Sequence, residues 1–246
     1  MGDATIQLAS LAGAWRPVYA RRIALHRTAD DVIAAAWRAD TADLTIRRPT
    51  LWGASESASP DQREADTALV LSVLAAWDFR RTRVGIRTAV IRAHRAGYTA
   101  GRHLVTVETD DDTDTDYDED AVSGIDLTDT QADLTAASTL TAALAATARH
   151  AGRILADTDS ADDATSDVRD GRSVALAADV AVSSVYGLGQ LSAYHAAGQR
   201  SVSWLTAGDG RVCTACSDAE AGGPYPVLAT PTLPQHPSCR CCLAPA

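Results

Sequence analysis

The chain has no lysine. Its 22 basic residues are all arginine, against 32 Asp and Glu, leaving a formal net charge of −10 over 246 residues. That balance argues against broad, sequence-independent DNA binding, which needs a basic footprint. Bulky apolar residues are also scarce, with one Phe and one Met. Alanine, the strongest helix former, which buries little area per residue, is by far the commonest residue in the 46% hydrophobic content. Long, closely packed helices are therefore expected. There is no run of about 18 apolar residues, so no membrane-spanning helix is expected. The opening "MGDATIQLASLAGAW" has Asp3 and no basic region, so a secretory signal is not expected. Ile6 stands where a myristoylation signal needs Ser or Thr. Cysteine is missing ahead of position 213, and all five cysteines fall between Cys213 and Cys242.

What is present reads as helix. From Ser10 to Arg38 the apolar set is Leu11, Trp15, Val18, Ile23, Leu25, Val32, Ile33 and Trp37, with Pro17 starting or kinking the stretch. "RRPTLWGASESASPD" is a loop by its Pro, Gly and Ser content. Ser59, Pro60 and Gln62 form a helix-start signature. The helix that follows is expected to run about 40 residues. Leu69, Val73, Ala76, Val84, Ile91, His94 and Tyr98 form its inward stripe. A second capping box, Thr128 and Gln131, opens a helix with Leu134, Ala137, Leu140, Leu144, Ala148, Ala151 and Leu155 inward. A further helix is expected from Asp163 to Ala197, with Val174, Ala178, Ala181, Val185 and Leu188 inward and Gly198 as its C-terminal cap. Ala-rich helices joined by a polar turn predict αα-hairpins.

Between the helical halves lies "TVETDDDTDTDYDEDAVSG", with Asp at 110, 112, 114, 116, 118 and 120. Alternating carboxylates are raw material for a calcium loop. The register fails, because Tyr117 would occupy the glycine position and Ser123 the final Glu position. A solvated acidic loop is the plainer reading. The chain thus divides into an N-terminal helical region (1–107), an acidic loop (108–124), a helical hairpin (125–199) and a C-terminal module (200–246). The fold class is mainly α: long antiparallel helices followed by a small zinc-knuckle or ribbon module.

In that module Cys213 and Cys216 are three apart, as are His236 and Cys239. Such pairs grip one ion from a tight turn, and zinc favours four N/S ligands arranged tetrahedrally. The expected metal ligands are four of Cys213, Cys216, His236, Cys239 and Cys241, with Cys241 as the substitute. Cys242 is spare. Zn²⁺ in a closed site of this kind is structural. Disulfides and free thiols are the alternatives, though five is an odd number. A redox CxxC would need a βαβ context.

Trp204, Thr206, Asp209, Arg211, Val212, Cys213 and Cys216, followed by Pro234, His236, Pro237, Cys239, Arg240 and Cys241, resemble a known signature. It is the W-x-T-x-x-D-x-R-V-C-x-x-C … H-P-x-C-R-C pattern of the phage minor capsid or head-morphogenesis (MuF-like) family. The match covers about residues 200–246, and Cys242 departs from it. The resemblance implies a virion component made in the host cytoplasm and placed in the capsid interior or at the portal vertex. Its partners would be the portal protein and the major capsid protein, and packaged DNA indirectly. It would sit in several copies around the portal, with no membrane, and would act in head morphogenesis and genome packaging or delivery. No catalytic role is implied. No HExxH, phosphate loop or G-x-S-x-G is present, and the histidines read as surface or partly packed side chains. The alternative is a zinc-containing nucleic-acid-binding or regulatory protein, whose basic stripe would be Arg80, Arg81, Arg83, Arg87, Arg92, Arg95 and Arg102. Those arginines do not make one helix face.

Overall fold

The computed structural model describes residues 3–47, 58–108, 127–206, 212–234, 236, 239 and 241–246. The acidic run from Asp110 to Asp120 lies outside them, as do Asp209 and Arg240. The chain is mainly helical, with a small strand region at its C-terminal end. The helices are α1 (Asp3–Thr41), α2 (Pro60–Ala75), α3 (Arg80–Glu108), α4 (Asp129–Thr158), α5 (Ala161–Asp170), α6 (Arg172–Ala196) and α7 (Thr214–Ala221). The strands are β1 (Ser201–Leu205), β2 (Tyr225–Pro226) and β3 (Cys242–Pro245).

Both predicted capping signals are formed. Ser59 Oγ accepts from Gln62 N at 3.2 Å. Thr128 N donates to Gln131 Oε1 at 3.1 Å, and Gln131 N donates back to Thr128 Oγ1 at 3.2 Å. Helix α1 begins well before Pro17, which therefore does not start it.

Two expected long helices are broken. The stretch expected to run unbroken from Ser59 stops at Ala75 and restarts at Arg80. Between them Trp77 Nε1 donates to Asp40 O at 2.6 Å, and Phe79 stacks on Trp37 with ring centroids 4.8 Å apart. Asp40 Oδ2 accepts from both Thr82 N and Thr82 Oγ1 at 2.7 Å, which satisfies an orphan donor of the new first turn. The other break is at Gly171, which has φ +72 and separates α5 from α6. A Cβ there would lie 2.6 Å from Trp37 Cδ1, and Trp37 Nε1 donates to Val168 O at 2.6 Å. The indole fills the space that any side chain would need.

The buried stripes agree with the expected ones in part. In α2 and α3 His94 is buried as expected, together with Val70, Leu74, Ile86, Val90 and Leu104, while Val84 is 57% exposed. Helix α4 buries Ala148, Ala151 and Leu155 as expected; nearer its start it buries Ala132, Ala136, Thr139 and Ala143 instead and leaves Leu134 66% exposed. Its inward face is small because a helix packs close: a Cβ on Gly152 would lie 2.6 Å from Thr67 Cα. In α6 Val174, Ala178, Ala181 and Val185 are buried as expected, and Leu188 is not. The stretch Ala161–Ala196 is long and apolar enough to cross a membrane by length and composition. However, 56% of its most apolar window is buried inside the protein, as in a core helix.

By contact the chain forms two units. One gathers Met1–Thr28, Thr88–Ala132 and Asp179–Ala246; the other gathers Ala29–Arg87 and Asp133–Ala178. The second unit centres on Ile33, Trp37, Leu44, Ile46, Leu74, Phe79, Leu155 and Val168. The first buries Tyr186, Tyr194, Val202, Trp204 and Leu243. Within it a Cβ on Gly97 would fall on the Tyr186 carbonyl, and one on Gly189 on the His94 carbonyl. Only glycine allows the backbones of α3 and α6 to come this close.

Candidate metal centre

The tail is built around a three-stranded antiparallel sheet in the order β2-β1-β3. In register Trp204 faces Leu243 and Val202 faces Pro245. Trp204 is 1% exposed, so it packs inside the tail as its large apolar anchor. Tyr194 Oη on α6 donates to Leu243 O at 2.8 Å, which fixes β3 to the helix. Glu220 on α7 accepts from Thr206 N at 3.0 Å and Thr206 Oγ1 at 2.9 Å.

Each cysteine pair sits on a turn. Cys213 is the N-cap of α7, and its Sγ accepts from Cys216 N at 3.4 Å. Cys239 N donates to His236 O at 3.2 Å, closing the second turn. The two turns meet. The ligand atoms of Cys213, Cys216 and His236 lie within 4.8 Å of one another, and so do those of Cys216, Cys239 and Cys241. Cys216 belongs to both groups. Its Sγ is 3.4 Å from His236 Nε2 and 3.7 Å from Cys239 Sγ. The five expected ligands thus fall into two groups joined at Cys216. Cys242 joins neither group. It is buried on β3 opposite Leu205, and along an extended chain neighbouring side chains point to opposite faces.

The thiols are not equivalent. The backbone N–H of Cys216 draws the Cys213 thiol below its ordinary value. Burial pushes Cys216 up to about 12. Cys241 is raised further, first by hydrogen bonding to the Cys239 thiol and then by burial. Burial also raises Cys242. No disulfide joins any of the five cysteines. The Trp204 indole Nε1 is buried without a hydrogen-bond partner among the described residues. It lies beside Cys241 and pulls that thiol toward ionisation. An orphan donor beside a sulfur is suited to a thiolate, the form a metal requires. The donor set of soft sulfurs and one imidazole fits zinc and other thiophilic ions.

Sequence reasoning missed the residues that support this cluster. Arg22 on α1 is 3% exposed. Its Nη1 donates to Cys241 O and its Nη2 to Cys239 O at 3.2 Å. Its Nη2 also reaches Ser183 Oγ at 3.4 Å. Ser183 Oγ lies 3.4 Å from His26 Nε2, and His26 Nδ1 lies 2.8 Å from Asp179 Oδ1. Asp, His and Ser therefore stand in the order of a nucleophilic triad. Ser183 is only 1% exposed, so no substrate reaches it in this arrangement. His150 is likewise paired in space, its Nδ1 3.1 Å from Asp167 Oδ2. Sequence separation hides these pairings, and no local motif marks them.

No family model, no curated protein and no solved structure matches this chain.

Proposed function

We propose that this chain is a zinc-stapled assembly protein: a phage minor capsid component, associated with the portal vertex, that acts by binding in head morphogenesis and genome packaging or delivery. The observation that carries the reading is that Cys213, Cys216 and His236 gather in one group and Cys216, Cys239 and Cys241 in a second, with Cys216 common to both. These are the Cys and His positions of the head-morphogenesis signature that the C-terminal module resembles. Tetrahedral zinc with Zn–S of about 2.3 Å and Zn–N of about 2.0–2.1 Å has S···S edges of about 3.8 Å and S···N edges of about 3.6 Å. The 3.7 Å and 3.4 Å separations at Cys216 are close to those edges. Cys216, Cys239 and Cys241 are buried, which favours a closed, structural ion over one that binds substrate. Such an ion would hold the two turns of a tail rich in Gly and Pro, and the tail would present a rigid knob to a partner.

The test is co-assembly. Portal protein, major capsid protein and this chain are expressed together, and the particles are imaged and their proteins identified by mass spectrometry. The chain is expected at the portal vertex. Its distribution over the icosahedral lattice, or its absence from particles, contradicts the portal role.

A further inference from the structure

We infer that Arg22 is the counter-cation of the metal–thiolate centre and positions the backbone of its second turn. The inference rests on the metal reading above. The guanidinium is 3% exposed, yet among the described residues no ion pair gives it a carboxylate. A buried charge is costly unless it is both hydrogen-bonded and paired.

Hydrogen bonding is supplied by Cys241 O, Cys239 O and Ser183 Oγ. Arg22 Cζ also lies 5.4 Å from the centroid of the Tyr186 ring, a cation–π arrangement. These partners offer dipoles and a ring, but no full negative charge. A divalent ion held by three thiolates and a neutral imidazole supplies one, with a net charge of about −1, and four thiolates supply about −2.

The contacts fall on the two residues whose sulfurs complete the site. Cys239 and Cys241 both offer their carbonyls to one planar fork, which fixes the spacing of the backbone from which their thiols project. Ser183, which shares Nη2 with Cys239 O, is itself held by the His26–Asp179 pair. Outer partners of this kind are what orient metal ligands.

The experiment uses the full chain and four proteins: wild type, Arg22→Met, Arg22→Gln and Arg22→Lys. Zn²⁺ affinity is measured by competition with a chelator, and the cobalt-substituted proteins are compared by their thiolate-to-metal absorption. Met and Gln are expected to lower affinity about ten- to a hundredfold and to shift the absorption band. Lys is expected to recover part of the affinity through its charge. Equal affinity and an unchanged band in the neutral variants overturn the inference. Equal losses in Lys and Gln overturn the counter-charge and leave packing as the cause. Should Arg22→Met fail to fold, the Gln and Lys pair carries the same comparison. A wild type that binds no metal sinks the metal reading itself, an outcome distinct from a wild type that binds metal and ignores position 22.

Discussion

Cys213 and Cys216 sit three residues apart and are pushed in opposite directions. Cys213 caps α7 and takes the Cys216 N–H, which stabilises its thiolate. Cys216 is buried against His236 and Cys239 and is raised to about 12. A lowered pKa keeps the thiolate populated as pH falls, and the thiolate is the reacting form. In metal-free protein at neutral pH, iodoacetamide should therefore modify Cys213 first and leave Cys216 largely untouched. Cys213 modification should also persist at a pH where free cysteine has slowed. Mass spectrometry of the digested protein reads this, and equal labelling of the two cysteines contradicts it. The spacing of these residues was legible in the sequence, because i,i+3 ligand pairs are local. Their inequality was not, because it comes from where α7 starts and from burial by chain twenty residues away.

At the scale of elements, the capping residues could be read because a cap is a contact between residues three apart. The helix breaks could not. The turn after Ala75 depends on Trp77 and Thr82 reaching Asp40, and the break at Gly171 depends on Trp37. Leu134 was expected inward because large apolar residues usually mark a core, but the first half of α4 buries an Ala and Thr face, and the expected stripe holds only from Ala148 to Leu155. Two glycines give a controlled test. Gly171 and Gly198 have φ +72 and +76. A Cβ at Gly171 meets Trp37, whereas at Gly198 nothing lies within 4 Å. Gly198→Ala should cost only the left-handed penalty, about 1–2 kcal/mol. Gly171→Ala should cost that and the displacement of Trp37, so its chemical denaturation midpoint should fall clearly further. Equal losses contradict the role given to the indole.

At the scale of the whole molecule, the sequence could place the cysteine tail but not its attachment. Arg22 lies 217 positions from Cys239, and Tyr194 lies 49 from Leu243; no periodicity links such residues. Helix α6 also meets the tail directly, since a Cβ on Gly187 would lie 3.2 Å from the Leu233 side chain. Metal bound to the tail should therefore stabilise the helices it packs on, not the tail alone. An ion present at about a thousand times its dissociation constant adds about 4 kcal/mol, which for a chain of this size raises the melting midpoint by about 10 °C. Chelator treatment should lower the midpoint of the helical circular dichroism by that order, and re-addition of Zn²⁺ should restore it. A helical melt indifferent to metal would separate the tail from the helices. The central claim is that five side chains gathered by two turns hold one closed metal ion, and X-ray absorption at the zinc edge on the purified full chain, with elemental analysis, tests it most directly. The account predicts one zinc per chain in a four-coordinate shell of sulfur with or without one nitrogen, at Zn–S of about 2.3 Å; protein isolated without metal, or with Cys213 in a disulfide, contradicts it.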